Sequence, residues 1–416
     1  MWKDERMVEA LTDISVEVCG IRFKNPIIVA SATPTKDAKY MKRALDAGAG
    51  GVVAKTVTHE ANLQHYVRPR FTILHKRGWP HVFSNYSCEF LATYTPEQWV
   101  KEIREAKRYA EEAEAVLITS IMGRTIEEWQ ALAQMMEGAG SDMLEINFGC
   151  PHPRELEHKM GTELGQDPRA CAEVTKAVKE AVAIPVFPKL TPEAVNVVEV
   201  ARAVERAGAD GVTAINRYPA LDVDLKTGRP LLHSTYAGVG GPWMRPITLK
   251  WITKIASAVK IPISATNGIW TWRDAVKALM CGASTTQICT AILYGVRGIE
   301  VVGDFIEGLR GYVEEQGYNS IEDFKGITLG QILPWEAVER EAPIWSEVVG
   351  ERCNGCGFCP NWCYYGAIEM VEASGRVKIA EIDPNRCDGC GLCAALCPKE
   401  AIVMRGDRPV FLGEYG

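Results

Sequence analysis

No stretch of the 416-residue sequence stays apolar for the length a membrane-crossing helix needs, so no helical span is expected. Residues 1–18 mix acids and bases with their apolar side chains and lack the unbroken apolar core of a secretory signal. Positive charge is not in excess: 46 Lys and Arg face 53 Asp and Glu, for a net charge of −7. That balance excludes the broad basic surface that drives binding to nucleic acid or anionic membranes, and neither partner is expected. No βαβ unit opens with G-x-G-x-x-G, so the phosphate-cradling fingerprint of a dinucleotide site is missing. Cysteine is plentiful at 14 residues, yet eight of them crowd between Cys353 and Cys397 in C-x2-C spacing, unlike a disulfide framework. Metal ligation in a reducing compartment suits that spacing, and the cytoplasm is the expected location.

The hydrophobic fraction of 47% and charged fraction of 24% belong to a globular chain with a substantial core. Single cores stop growing near roughly 250 to 300 residues, so this length implies one large domain and a small one. A helix-end, glycine, strand junction recurs in ALDAGAGGVVAK (44–55), MMEGAGSDMLEIN (135–147), AVERAGADGVTAIN (203–216) and ALMCGASTTQICTA (278–291). Glycine permits the left-handed helix cap, and the apolar run after it suits a parallel strand covered on both faces. Runs at 27–32, 52–55, 116–121, 143–148, 185–190, 211–216, 262–267 and 285–291 make eight strands with helices between them. Eight alternating units predict an α/β fold, a closed (β/α)8 TIM barrel, with an open doubly wound sheet as the competing arrangement. Residues 16–23, alternating about Cys19 and Gly20, predict a hairpin plugging the barrel bottom. The expected division is a barrel over 1–311, a connector over 312–349 broken by Pro334 and Pro343, and a cysteine domain over 350–416.

Cys353, Cys356, Cys359 and Cys363 form C-x2-C-x2-C-x3-C, and Cys387, Cys390, Cys393 and Cys397 repeat it with Pro398 directly after. Three thiolates of each run reach three corners of one cubane, and the fourth is carried across to the other cluster. Two [4Fe–4S] clusters in a ferredoxin-like domain are expected: one on Cys353, Cys356, Cys359 and Cys397, the other on Cys387, Cys390, Cys393 and Cys363. Structural zinc, the competing reading, usually pairs two C-x2-C units across a longer loop. The first run departs from the second in having Tyr364 where Pro398 stands. Two clusters in series carry single electrons, so a flavin is expected to couple them to two-electron chemistry.

In order along the chain, Asn25–Pro26 with VASATP (29–34), AKT (54–56), EINFGCPH (145–152), KLTP (189–192), GVTAIN (211–216), TYAGVGG (235–241), ATNGI (265–269) and QICTA (287–291) carry a likeness. Together they resemble the dihydroorotate and dihydropyrimidine dehydrogenase superfamily over roughly residues 15 to 310. The appended two-cluster module makes the resemblance nearest to the FMN and iron–sulfur portion of dihydropyrimidine dehydrogenase, found in bacteria as a separate subunit. The resemblance implies FMN at the C-terminal mouth of the barrel. Ser31, Ala32, Lys55 and Thr56 would approach its ring and ribityl chain, and Lys189 its N1 and O2 edge. Gly241, Thr266, Asn267, Gly268, Cys289 and Thr290 would form the phosphate site. Cys150 would be the acid that protonates one carbon while hydride reaches its neighbour, and Asn85, Asn147 and Asn216 would bind substrate. Cys19, Cys171 and Cys281 read as buried, inert cysteines.

The sequence departs from the pyrimidine-reducing pattern in Ser87, where an acid is usual, in Arg217 after Asn216, where threonine is usual, and in Gly149 for serine before the cysteine. Losing a carboxylate and gaining a guanidinium would make the pocket up to two charges more positive and favour an anion. The other possibility for Arg217 is an ion pair with Asp222 or Asp224, turned away from the pocket. The expected activity is reduction, or reverse oxidation, of a ring C=C bond in the manner of dihydropyrimidine dehydrogenase. Alternatives are a paralogue acting on a cyclic or aromatic carboxylate such as orotate, and an electron-relay subunit without its own substrate. Without a dinucleotide fingerprint, electrons are expected from a separate NAD(P)H-oxidising flavoprotein subunit or a ferredoxin. The resemblance also implies a homodimer.

Overall fold

A computed structural model describes residues 12–64, 68, 70–74, 84–89, 91–150, 160–234, 236–341, 343–373 and 378–406. They fall into a larger unit ending at Ile332 and a smaller one beginning at Leu333.

In the larger unit eight parallel strands close on themselves in chain order. They are β1 (Ile27–Val29), β2 (Gly51–Val57), β3 (Val116–Ile121), β4 (Met143–Asn147), β5 (Val186–Lys189), β6 (Val212–Ala214), β7 (Ile263–Thr266) and β8 (Thr285–Ile288). Ile27 to Val29 of β1 pair with Thr286 to Ile288 of β8, which closes the barrel and excludes the open sheet. A helix follows each strand and buries one stripe against it. In Pro96–Glu112, Trp99, Ile103, Ala106 and Ala110 share the buried face, and Thr95 and Gln98 cap the first turn reciprocally. The four glycines of the recurring junction, Gly48, Gly140, Gly208 and Gly282, have φ between 95° and 104°, the left-handed region that glycine enters without a Cβ penalty.

The hairpin forms as Val16–Val18 against Ile21–Phe23. Phe23, 1% exposed, and Val18 line the barrel interior with Ile28, Met143 and Phe187, so the hairpin seals the base. Cys19 is not buried as expected. It stands exposed on the two-residue turn, with φ of 54°, while its thiol donates to Asp210 O at 3.3 Å. Cys171 and Cys281 are buried.

Two excursions at the C-terminal end add a sheet that the apolar pattern did not disclose. Phe71–Leu74 and Ser84–Ser87, after β2, join Tyr218–Ala220 and Ala237–Gly240, after β6, in one antiparallel sheet of four strands. This sheet carries Asn85 and stands next to Arg217.

The expected connector is divided between the two units. Helix Val301–Glu315 runs through residue 311, and beyond it Ile321 and Phe324 are fully buried in the barrel core. Gly326 N and Thr328 N donate to the carbonyls of Leu279 and Met280. The far end of the connector supplies an edge strand to the smaller unit, Ile344–Val348 paired with Ile402–Gly406. A second antiparallel pair, Ile368–Glu372 with Lys378–Ile382, and two short helices, Cys359–Trp362 and Leu392–Leu396, complete that unit. Among the described residues no helix is long and apolar enough to cross a membrane.

Candidate active site and cluster module

Parallel barrels present their strand ends and loops at the C-terminal mouth, and there the polar residues of this chain gather. One pocket there is lined by fifteen of the sixteen residues expected around the flavin and substrate. They are Ser31, Ala32, Lys55, Thr56, Asn85, Asn147, Cys150, Lys189, Asn216, Arg217, Thr266, Asn267, Gly268, Cys289 and Thr290. Gly241 is set back from the lining and opens the turn Pro242–Met244 beside it. His152 and Thr235, from the motifs around Cys150 and Gly241, lie outside the described residues.

A belt of hydrogen bonds joins the strand ends. Ser31 Oγ accepts from Thr56 N at 3.0 Å, Thr56 Oγ1 lies 2.8 Å from Ser120 Oγ, and Asn147 Nδ2 donates to Thr56 Oγ1 at 3.1 Å. Asn216 Nδ2 donates to Asn147 Oδ1 at 3.3 Å, and Asn267 Nδ2 to Asn216 O at 3.1 Å. Gly149 fits this belt, because a Cβ there would stand 2.6 Å from Asn216 Cβ. Cys150 is 4% exposed, and its carbonyl accepts from Thr162 N at 3.0 Å and Thr162 Oγ1 at 3.2 Å.

Two buried ion pairs underlie the pocket. Lys189 Nζ reaches Glu145 Oε1 at 3.2 Å, and Glu145 Oε2 accepts from Gln287 Nε2 at 3.0 Å. Lys55 Nζ reaches Glu89 Oε1 at 2.9 Å. Burial pushes the Glu89 carboxyl up, but Lys55, then Arg217, and the hydroxyl of Thr33 outweigh it and hold it at about 2. Burial, then the charge of Glu89, pushes the Cys289 thiol up to about 12, so it stands uncharged.

Glu89 corrects the charge expected from Ser87 and Arg217. The lost carboxylate is replaced two residues later, so the pocket is not two charges more positive. Arg217 does not pair with Asp222 or Asp224. It lines the pocket, and its Nη1 donates to Ser87 Oγ and to Gly238 O. Glu89 and Gln287 also line the pocket, Glu145 braces Lys189 beneath it, and Tyr294 donates its hydroxyl to Asn85 Oδ1 at 2.7 Å, four side chains to which the motifs assigned no role. Polar residues inside otherwise apolar strands were the available signal for Glu145 and Gln287.

In the smaller unit Cys353, Cys356, Cys359 and Cys397 line one cavity. Three are from the first run and one from the second, the set expected for one cluster. Among the described residues no three His, Cys, Asp or Glu side chains close on a single ion-sized point. Thiols spread around a cavity suit a cubane better than one tetrahedral ion. In the other set Cys393 is within electrostatic reach of Cys387 and Cys390. Cys363 Sγ and Cys397 Sγ accept from Ala367 N at 3.2 Å and Ala401 N at 3.3 Å, in equivalent positions after each run.

A closed barrel with a charged, hydrogen-bonded pocket at its mouth, followed by a cysteine-rich unit, defines the class of iron–sulfur oxidoreductases. The chain belongs to the dihydroorotate dehydrogenase family, which it matches over residues 13–312, and is an oxidoreductase acting on CH–CH groups. Residues 352–401 match the 4Fe-4S dicluster domain. The chain is similar, at 34% identity over 376 residues, to the NAD-dependent dihydropyrimidine dehydrogenase subunit PreA of Escherichia coli K12, covering 88% of this chain and 89% of that protein. It is also similar, at 37% identity over 316 residues, to the catalytic subunit of dihydroorotate dehydrogenase B (NAD(+)) of Pyrococcus abyssi, covering 76% of this chain and 99% of that protein.

Proposed function

We propose that the chain holds FMN at the barrel mouth and two [4Fe–4S] clusters in its second unit, and reduces, or in reverse forms, a ring C=C bond in the manner of dihydropyrimidine dehydrogenase. The observation that carries this reading is the single pocket shared by Cys150, two lysines and three asparagines. An electron relay without its own substrate would need neither the thiol nor the asparagines.

The residues fit FMN. Gly268, with φ of 78°, lies where a Cβ would strike Arg245 N at 2.3 Å, so the loop after β7 makes a tight cradle against the start of helix Arg245–Ala256. Gln287 lines the pocket with its Oε1 buried and unpartnered, an acceptor suited to a ring N–H. Gly241, Thr266, Asn267, Gly268, Cys289 and Thr290 would hold the phosphate, and Ser31, Ala32, Lys55, Thr56 and Lys189 the remainder. Bound there, FMN supplies hydride exchange with a ring carbon and single-electron exchange with the clusters.

Cys150 gives its thiol proton to the neighbouring carbon in the reductive direction and takes it back as thiolate in the reverse. Asn85, Asn147 and Asn216 hold the ring in register. Lys189, held by Glu145, would offer positive charge to a bound ring that gains electron density. Electrons would come from a separate NAD(P)H-oxidising flavoprotein subunit or a ferredoxin, with the chain itself a homodimer in the cytoplasm. The names of the relatives, each a subunit of an NAD-linked enzyme, support the first donor.

The inward placement of Arg217 favours a second reading of the substrate, a cyclic carboxylate such as orotate. The test is anaerobic: the protein is reduced with dithionite, and flavin reoxidation is followed as uracil, thymine, orotate and a panel of ring carboxylates are added. Reoxidation by uracil or thymine supports the pyrimidine reading, and reoxidation by acids alone supports the second. Silence throughout would overturn both in favour of the relay.

A further inference from the structure

The smaller unit is built twice over. Strand Ile344–Val348 precedes the first cysteine run as Lys378–Ile382 precedes the second, and each pairs with the strand that follows the other run. Ser346 stands opposite Met404 in one pair, and Ala380 opposite Met370 in the other. Ser346 and Ala380 therefore hold equivalent places, and each is 3% exposed, so what either offers goes to the protein and not to water. The backbone donors after each run do not distinguish the halves, because Ala367 N serves Cys363 as Ala401 N serves Cys397, at 3.2 and 3.3 Å.

The halves differ at this one place. Ser346 N donates to Cys387 Sγ at 3.4 Å, and Ser346 Oγ lies 3.4 Å from Cys393 Sγ, so the residue touches two thiols of one set. Ala380 lines the cavity of Cys353, Cys356, Cys359 and Cys397, and its methyl has no proton to give. While Cys393 is a thiol it donates to Ser346 Oγ, whose own proton turns to Met404 Sδ at 3.3 Å. A thiolate on iron has lost its proton and is a stronger acceptor than a thioether, so it draws the hydroxyl to itself. Reduction adds one negative charge to a cubane, and donors to its sulfurs favour that state.

We propose that Ser346 makes the two clusters unequal, so that the first electron to enter the unit settles on the cluster of Cys387, Cys390, Cys393 and Cys363. Each cluster accepts one electron, and no bond forms or breaks. Ser346 is not a ligand. It is a positioning residue that acts through the thiolates, and it reaches them from the connector, outside both cysteine runs. This inference rests on the proposed pair of [4Fe–4S] clusters, and the barrel pocket has no part in it.

Electrochemical reduction of the full holoprotein at poised potentials, followed by electron paramagnetic resonance, tests it. The half-reduced wild-type unit is expected to hold its electron on one cluster at least about tenfold in excess, a gap of about 60 mV for a one-electron couple. Ser346→Ala should lower the upper potential by about that amount and leave the lower one in place, and Ser346→Thr, which keeps the hydroxyl, should restore it. Ala380→Ser should raise the lower potential alone. Clusters that fill together in wild-type protein would overturn the proposal, as would an upper potential unmoved in Ser346→Ala or two potentials that shift as one. Where Ser346→Ala fails to assemble, the wild-type order and Ala380→Ser decide. Iron content separates the two readings: well under roughly eight iron atoms per chain, with a single cluster signal, sinks the pair of clusters and this inference with it. Full iron with two signals that fill together sinks this inference alone.

Discussion

Cys150 and Glu89 are buried in the same pocket wall and do opposite work. In the proposed reaction Cys150 brings a transferable proton, and its loop is pinned through Thr162, so Cys150→Ala should remove the proton donor without loosening the pocket. Turnover is expected to fall about 10²- to 10⁴-fold while the affinity for oxidised-state ligands changes little, as stopped-flow reduction and equilibrium titration would show. Glu89 instead compensates Lys55. Its carboxyl titrates at about 2 in the folded chain against an ordinary 4.5, so the stability it contributes is present above about 4.5 and is lost as pH falls toward about 2. That linkage amounts to roughly 3 kcal/mol. Glu89→Gln leaves the Lys55 ammonium buried without its partner, and should cost about 3 to 5 kcal/mol at pH 7 in urea unfolding. The gap from wild type should narrow as the pH is lowered from 5 to 3. A constant gap across that range would mean that the ion pair is not the source. Neither Glu89 nor Tyr294 was legible in the sequence, because each acquires its role from a partner distant in the chain, Lys55 for one and Asn85 for the other.

Among the elements, the barrel strands were legible for a physical reason. Each follows a glycine-capped helix end with a short apolar run, and a strand buried on both faces shows no alternation to confuse with a surface helix. Six of the eight runs overshoot at their C-terminal ends, whereas 116–121 matches its strand and 52–55 stops short of Val57. Residues 30–32, 190, 215–216 and 267 continue the pattern of their strands but leave the ladder to line or approach the pocket. The four-stranded sheet at the mouth stayed illegible because its strands are only three or four residues long and it pairs segments from two separate excursions. The junction glycines give this scale its own test. At Gly208 an added methyl would touch nothing nearer than Lys179 Cγ at 4.0 Å, so the cost of Gly208→Ala is that of a left-handed backbone alone, about 1 to 2 kcal/mol. Gly211 has no left-handed backbone, so the cost of Gly211→Ala is overpacking alone: a Cβ would stand 2.2 Å from the Phe187 ring, which should destabilise more. Denaturant midpoints of the two variants, with flavin content as a control for the pocket, would show the order. Equal losses would mean that the strand relaxes around Phe187.

Across the whole molecule, the proposed chemistry has two units with different electron counts working in sequence, and the cysteine spacing makes that dependence testable. Cys397 belongs by sequence to the second run, yet it lines the same cavity as Cys353, Cys356 and Cys359. Cys397→Ala should therefore disturb the cluster held by the first run, lowering iron content by about half and altering one of two overlapping paramagnetic signals in the reduced protein. A variant that lost the signal shared with Cys387→Ala instead would refute the crossed assignment. The functional consequence divides along the chain. With the barrel pocket untouched, flavin reduced chemically in Cys397→Ala should still be reoxidised by substrate at close to the wild-type rate. Reduction of that flavin by the physiological donor, through a partner flavoprotein or ferredoxin, should fall to a small fraction, because single electrons would lack one of their two stations. If donor-driven reduction survives the loss of the cluster, electrons enter the barrel by another route and the second unit serves a structural end. If both half-reactions fail, the units depend on one another for folding, and thermal unfolding of the variant would show that directly.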